Sequence, residues 1–329
     1  MIKKLFLTIF LLAALGAGWL VYFAAQPLSL PATPFEFELR QGSTLKGVAR
    51  QLTEAGVLAE PWSFVALGRL LGKQGQVKAG NYELQGGLTA FSLLSKITRG
   101  DVTQQEITFI EGWTFRQMRA ALDAHEHLRH DTRGMSESAI LQAIGAADAK
   151  AEGLFLPDTY FFSKGASDLA VLKRAYLNMQ KRLARAWENR DPAVPYANPY
   201  QALTMASIVE KETGQASERP MIAGVFLNRL RIGMRLQTDP TVIYGLGEAF
   251  DGNLRKVDLL TDTPYNTYTR AGLPPTPIAM PGKEAIDAAL HPEQTRALYF
   301  VAKGGGAHHF SATLAEHNAA VARYQLRRQ

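Results

Sequence analysis

The sequence predicts an α+β protein: an N-terminal transmembrane helix, a small β-α-α-β subdomain, and a larger mixed α/β domain. Three observations lead to this prediction: one long uncharged apolar segment, a repeated alternation of strand-like and helix-like patterns, and ordinary globular composition. Hydrophobic residues make up 47% and charged residues 20% of the 329 residues, which excludes a wholly disordered chain. The length accommodates about two domains and an appendage.

Composition also excludes several kinds of chemistry. The chain contains no cysteine, so disulfide frameworks, thiolate metal sites and cysteine nucleophiles are excluded. Its net charge of +6 is small and dispersed, which gives no indication of a nucleic-acid partner. His125 and His127 are two residues apart and would point to different faces of a helix, so we expect no metal there. We expect no cofactor of any kind.

The N-terminus carries the signal for a membrane anchor. Leu5–Ala25 is uncharged, and its 21 residues would span about 31 Å as a helix, against a hydrocarbon core of about 30 Å. Lys3 and Lys4 precede it, which favours a cytoplasmic N-terminus. We predict a cytoplasmic stub and anchor over 1–25, then a linker over 26–34 that holds three prolines. A cleaved secretory signal is the alternative.

The exported part opens with an internal repeat. Each of three copies has alternating apolar residues, a glycine turn, and then apolar residues at helical spacing; the copies begin at Phe37, Tyr82 and Ile107. A threonine two residues after each glycine is placed to cap the helix. We predict a subdomain over 35–104 with a further helix over 61–71, a connecting strand–helix unit over 105–150, and a third domain over 151–329.

One helix, predicted over 200–213, carries the candidate chemistry. Asn198 is placed to cap it and Pro199 fits its first position. Glu212 projects from an apolar face, while Glu210 lies roughly 200° around the helix, so the two cannot form one catalytic pair. Apolar surroundings would raise the pKa of Glu212, as a general acid for a glycosidic oxygen requires. On spacing alone, a solvated helix end remains open.

Downstream loops are rich in aromatic, proline and hydrogen-bonding residues. They span 228–245, 263–268 and 272–282. Such loops suit a sugar polymer, because aromatic faces pack on pyranose rings and prolines lower the entropy cost of binding. Proline-rich structural loops are the alternative. The candidate substrate-binding residues are Asn228, Arg229, Gln237, Thr238, Asp239, Tyr265, Asn266 and Thr267.

Several long motifs occur in one order along the chain. They are Gly153-Leu-Phe-Leu-Pro-Asp-Thr-Tyr160, Ala206-Ser-Ile-Val-Glu-Lys-Glu-Thr213, Phe226-Leu-Asn-Arg-Leu230, Met234-Arg-Leu-Gln-Thr-Asp-Pro-Thr-Val-Ile-Tyr-Gly245, Tyr265-Asn-Thr-Tyr268, Gly272-Leu-Pro-Pro275 and His308-x-Phe310. With them the chain resembles the MltG (YceG-like) endolytic murein transglycosylases from the anchor nearly to the C-terminus. The β-α-α-β subdomain resembles a LysM domain, a peptidoglycan-binding module.

This resemblance implies a function. Glu212 matches the family's catalytic glutamate. Enzymes of the family cleave the MurNAc–GlcNAc β-1,4 bond of nascent strands without water and leave 1,6-anhydroMurNAc ends, which implies that this protein terminates strand elongation. It implies a single-pass protein of the bacterial inner membrane with a periplasmic catalytic domain. Its partners would be peptidoglycan strands, the lipid bilayer through Leu5–Ala25, and candidate peptidoglycan synthases. The alternatives are a muramidase-type hydrolase that adds a second carboxylate such as Asp239, or a non-catalytic anchored glycan-binding protein.

Overall fold

The computed structural model describes residues 2–146 and 150–326, which form two compact units. The first unit contains the chain up to Gln105 together with Phe161–Gly165. The second contains Glu106–Tyr160 and the chain from Ala166 onward. The described residues of the predicted connecting unit, 105–150, therefore belong almost entirely to the second unit.

The first unit confirms the predicted β-α-α-β order. Strands β1 (Phe35–Leu39) and β2 (Gly80–Leu84) pair antiparallel, with Phe37 opposite Tyr82, and the rings of these two residues lie 5.5 Å apart. Buried residues of both strands and of three helices form one core, which includes Leu52, Phe64 and Leu93. The elements are α1 (Ile2–Ala25), β1 (Phe35–Leu39), α2 (Leu45–Glu54), α3 (Trp62–Leu70), β2 (Gly80–Leu84) and α4 (Ala90–Arg99).

The three repeat copies share the predicted cap. In each, a threonine hydroxyl accepts a hydrogen bond from a backbone N–H three residues on: Thr44 from Gly47 at 3.2 Å, Thr89 from Ser92 at 3.2 Å, and Thr114 from Gln117 at 3.3 Å. The turn glycines Gly42, Gly87 and Gly112 have φ of 84°, 81° and 77°, a conformation in which a Cβ is strained.

The second unit is mainly helical. From Gln104 onward the elements are β3 (Gln104–Thr108), α5 (Phe115–Ala124), α6 (Glu137–Ile144), β4 (Thr159–Ser163), α7 (Asp168–Glu188), α8 (Pro199–Glu212), α9 (Arg219–Arg231), α10 (Asp239–Leu246), α11 (Lys256–Leu260), α12 (Lys283–Leu290), β5 (Tyr299–Gly304), β6 (Ala307–Ser311) and α13 (Leu314–Tyr324). The first residues of β3, Gln104 and Gln105, and the last residues of β4, from Phe161, belong to the first unit. The centre of the second unit is helix α8, which is buried from Ala202 to Val209 and packs against α7, α9, α10 and α12.

The start of α8 confirms the sequence signals. The side-chain oxygen of Asn198 accepts from the Gln201 N–H at 3.0 Å, and Pro199 occupies the first turn. The helix ends at Glu212, so the candidate acid is its last residue. β3 pairs with β4, and β5 forms an antiparallel hairpin with β6. The predicted mixed α and β content is thus confirmed.

Candidate active site

The last turn of α8 presents two carboxyl groups to different surroundings. Glu210 Oε1 accepts from Arg219 Nη2 at 3.1 Å, and its Oε2 accepts from the Gly282 N–H at 2.9 Å. Only 6% of the Glu210 side chain is exposed. Burial raises the pKa of Glu210, and the Gly282 N–H and Arg219 oppose that rise. Glu210 is therefore a buried carboxyl group paired with Arg219, and it is not part of a solvated helix end.

Glu212 has a different partner, a neutral hydroxyl. Thr238 Oγ1 donates to Glu212 Oε1. Glu212 keeps part of its surface open, but protein atoms crowd its carboxyl group, and this burial raises its pKa. Its position at the C-terminal end of α8, where unpaired carbonyls carry partial negative charge, disfavours the carboxylate further. Burial and the helix end thus both shift Glu212 toward its neutral form.

A hydrogen-bond network links the Thr238 backbone to the hydroxyl groups of Thr241 and Thr267. The Thr238 N–H donates to Thr267 Oγ1 at 3.1 Å, and Thr267 Oγ1 lies 2.9 Å from Thr241 Oγ1. Thr241 Oγ1 in turn donates to the Thr238 carbonyl at 2.8 Å. All three residues are buried, which leaves their rotamers little freedom. The network therefore holds the Thr238 backbone, from which its hydroxyl contacts Glu212.

Charged groups around Glu212 shift its pKa in both directions. Asp239 raises its pKa, whereas His308 and Arg229 lower it. The Tyr268 hydroxyl donates to Asp239 Oδ1 at 2.5 Å, and burial followed by this contact raises the pKa of Tyr268. Asp239 itself is exposed. A second carboxylate is thus near enough to influence Glu212 electrostatically.

The two candidate residues on α9 bind the protein's own backbone. Arg229 is buried, with Nε donating to the Leu298 carbonyl at 2.7 Å and Nη1 to the Leu236 carbonyl at 2.6 Å. Asn228 Nδ2 donates to the carbonyls of Thr295 and Ala297, and this residue lines a recess with Gly224 and Pro292. Arg229 is close enough to Glu212 to lower its pKa.

The loop over 263–268 is stabilised by hydrogen bonds from its own buried residue Asn266. Asn266 is fully buried, and its Nδ2 donates to the carbonyls of Asp258, Leu259 and Thr261. Tyr265 is partly exposed, and its hydroxyl lies 3.0 Å from Thr276 Oγ1. The side chains of Thr238, Asn266 and Thr267 are thus buried and hydrogen-bonded to other protein groups, while the side chain of Tyr265 is partly exposed.

Gln237 is a further candidate with an exposed side chain. Its side chain is exposed, and its φ of 50° places it in the left-handed region, which non-glycine residues seldom adopt. The Gln237 N–H donates to the Thr267 carbonyl at 3.2 Å, which holds this conformation. The strained residue thus directly precedes the threonine that contacts Glu212, a position where strain is often functional.

A large cavity lies beside α10. Its volume is about 1060 Å³, and Tyr244 and Tyr265 in its wall pack edge to face at 4.9 Å. Glu152 in the same wall accepts from the Phe115 N–H at 3.0 Å and from the Tyr244 hydroxyl at 3.1 Å. Burial raises the pKa of Glu152 to about 7. The cavity therefore combines aromatic faces with polar groups, as saccharide sites do.

Sequence reasoning did not assign roles to several residues of this region. Arg219 lies 2.7 Å from Glu284 as well as binding Glu210, and Glu218 accepts from His308 Nδ1 at 2.8 Å. Thr241 could have been noticed as the second threonine of Thr-Asp-Pro-Thr; the contact between Glu218 and His308 has no local signal. Within the described residues, no group of three or more His, Asp or Glu is placed to hold a metal ion.

Comparison with known proteins agrees with this architecture. A model of the YceG-like family matches residues 37–323. The chain belongs to the YceG-like family. It is 32% identical over 310 residues to the endolytic murein transglycosylase of Bacillus subtilis (strain 168), covering 89% of this chain and 85% of that protein. The family resemblance seen in the motifs is thus confirmed.

Two further relatives extend the comparison. The endolytic murein transglycosylase of Streptococcus pneumoniae serotype 2 is 26% identical over 294 residues, which is 80% of this chain and 53% of that protein. The chain therefore matches about half the length of that relative. The crystal structure of a YceG-like protein from Listeria monocytogenes has a TM-score of 0.55 and 29% identity, covering 88% of this chain and all of that one.

Proposed function

We propose that this protein is a membrane-anchored endolytic lytic transglycosylase that cleaves the MurNAc–GlcNAc β-1,4 bond of peptidoglycan. This proposal is supported above all by the crowded carboxyl group of Glu212. Its pKa is raised, and its Oε1 accepts a hydrogen bond from the Thr238 hydroxyl. Relatives named endolytic murein transglycosylase support the substrate class.

In the proposed reaction Glu212 acts twice. Its carboxylic acid protonates the glycosidic oxygen as the bond to C1 of MurNAc breaks, releasing the GlcNAc hydroxyl. The carboxylate then removes the proton from the MurNAc 6-hydroxyl, whose oxygen bonds to C1 and closes the 1,6-anhydro ring. The proton returns to Glu212, so the cycle needs neither water nor a second carboxylate. Cutting nascent strands in this way would terminate their elongation.

The substrate contacts divide into two groups under this proposal. Gln237, Asp239 and Tyr265 have exposed or partly exposed side chains and would contact the sugars directly. Thr238, Asn266, Thr267 and Arg229 would act through the backbone and hydroxyl bonds that shape the site. The cavity beside α10 would hold part of the strand, with Tyr244 and Tyr265 facing pyranose rings.

Helix α1 would locate the protein in a membrane. Helix α1 has the length and composition of a membrane span, and Lys3 and Lys4 at its start favour a cytoplasmic N-terminus. The rest of the chain would lie in the periplasm, near peptidoglycan synthases as candidate partners. The first unit has the β-α-α-β order of a LysM domain, which supports glycan binding there.

Product mass tests the proposal against its alternatives. The detergent-solubilised full chain would be incubated with purified glycan strands and the products analysed by mass spectrometry. We expect fragments that end in 1,6-anhydroMurNAc. Reducing ends, one water heavier, would instead support a muramidase in which Asp239 assists Glu212, an option favoured by the electrostatic influence of Asp239 on Glu212. Uncut strands would support a binding protein.

A further inference from the structure

The last turns of α1 pack onto the first unit. Trp19 Nε1 donates to Ser63 Oγ at 3.1 Å, which ties α1 to the start of α3. Leu20, Phe23 and Ala24 pack against the core of the unit, and α1 contacts both α3 and α4. Residues 2–18 are exposed along their whole length. Within the described residues, α1 is therefore bound to the unit through its C-terminal end.

The length of α1 leaves no spare residues outside the bilayer. From Leu5, the first residue after the lysines, a hydrocarbon core of about 30 Å requires about 20 residues, and so extends to about Ala24. A tilted helix would need still more residues. The segment from Trp19 to Ala24, which packs onto α3 and α4, is thus also needed to fill the outer part of the hydrocarbon layer.

The helices that α1 contacts carry large exposed apolar side chains. Trp62 and Leu70 on α3, Leu71 after it and Phe91 on α4 are 59%, 75%, 42% and 48% exposed. Lys73 Nζ lies 5.7 Å from the centre of the Phe91 ring, which brings the end of α3 next to the start of α4. Large exposed apolar side chains on the helices that contact α1 indicate a surface that is covered in the working protein.

We infer that this surface, formed by Trp62, Leu70, Leu71 and Phe91, is seated in the outer leaflet of the membrane that α1 spans. The occupant is lipid, because α3 and α4, which carry this surface, are helices that α1 contacts. Arg69 and Lys73 adjoin it and suit the phosphates of the headgroups, while the four apolar side chains reach the acyl chains. The inference rests on the proposed anchoring by α1.

Single-cysteine labelling tests the inference, since the chain has no cysteine of its own. Full-length Leu70→Cys and Phe91→Cys proteins would carry an environment-sensitive fluorophore in phosphatidylethanolamine–phosphatidylglycerol vesicles. Leu11→Cys in α1 reports the anchor, and Arg50→Cys on α2, exposed in the same unit, is the matched control. We expect quenchers on the lipid acyl chains to remove emission at positions 11, 70 and 91, and aqueous iodide to remove it only at position 50.

The other outcomes contradict the inference in distinguishable ways. Iodide quenching at positions 70 and 91, with lipid quenching at 11, would show an anchored protein whose surface faces water. Shielding of positions 70 and 91 from both quenchers would show a protein occupant, such as a second copy of the chain. Absence of lipid quenching at position 11 would refute the anchor and the inference together.

Discussion

Glu210 and Glu212 share one turn of α8 and one direction of pKa change, yet their partners differ in kind. Glu210 is held by Arg219 and by a backbone N–H, both of which can only donate and so favour the carboxylate. Glu212 is held by the Thr238 hydroxyl, which can donate to a carboxylate or accept from a carboxylic acid. The comparison suggests that the partner, more than the burial, separates a structural carboxyl group from one that can exchange its proton.

The largest expected effect is that of Glu212→Gln. The amide keeps the size of the side chain and its contact with Thr238 but cannot transfer a proton. We expect formation of anhydro-ended product to fall about 10²–10⁴-fold, with an unchanged melting temperature. The rate would be measured by chromatography of muropeptides from glycan strands, and folding by circular dichroism. Activity within about threefold of wild type would refute the assignment.

Removing Arg219, the cation that pairs with Glu210, should affect stability rather than catalysis. Arg219→Met would leave Glu210, Glu284 and Glu111 facing one another without their arginine. We expect a loss of about 3–5 kcal/mol in the free energy of unfolding at pH 7, measured by urea denaturation. Because uncompensated carboxylates have raised pKa values, the deficit should shrink as the pH falls and they become protonated.

Arg219→Lys is the matched control for that experiment. It keeps the positive charge but loses the two-armed geometry that reaches Glu210 and Glu284 together, so its loss should be smaller. Equal losses for both variants would mean that the shape of arginine, and not its charge, stabilises this face. A stable Arg219→Met protein would remove the proposed distinction between the two carboxyl groups.

Thr238→Val should change the pH dependence of the reaction. The Thr238 hydroxyl favours the charged form of Glu212, so its removal should raise the pKa of Glu212 further. A hydrogen bond to a charged group contributes about 1.5–3 kcal/mol, so its loss should displace this pKa measurably upward. Since Glu212 must start protonated, we expect the alkaline limb of the kcat/KM profile to move to higher pH.

Thr238→Ser, which retains a hydroxyl, should keep the wild-type profile. A purely structural role for Thr238 would lower the rate at every pH and leave the limb in place. If both variants lose activity without a shift, the network of Thr238, Thr241 and Thr267 only supports the backbone, and the contrast between the two partners fails.

Glu210→Gln should have the smallest effect. The amide can still accept from the Gly282 N–H, and Arg219 retains Glu284 at 2.7 Å. We expect substantial turnover, an unchanged pH optimum, and a loss of about 1 kcal/mol in stability, measured as a lower melting temperature. A folded Glu210→Gln protein as inactive as Glu212→Gln would mean that the two carboxyl groups cooperate in catalysis.

The sequence by itself determined the features that depend on neighbouring residues. The uncharged run behind Lys3 and Lys4, the three capped repeat helices and the start of α8 at Asn198 all follow from local signals. Helical periodicity alone separated Glu210 from Glu212, because 3.6 residues per turn places residues two apart on different faces. The long motifs identified the family, since their order and spacing extend along most of the chain.

Only the tertiary structure decided which groups meet across the loops. Thr238 is 26 residues from Glu212 and Gly282 is 72 residues from Glu210, and no periodicity encodes such contacts. The loop residues Asn266 and Thr267 illustrate the same limit: their composition suggested substrate contacts, but the fold commits their side chains to the protein itself. Burial requires polar groups to find partners, and which partner is available depends on how distant segments pack together.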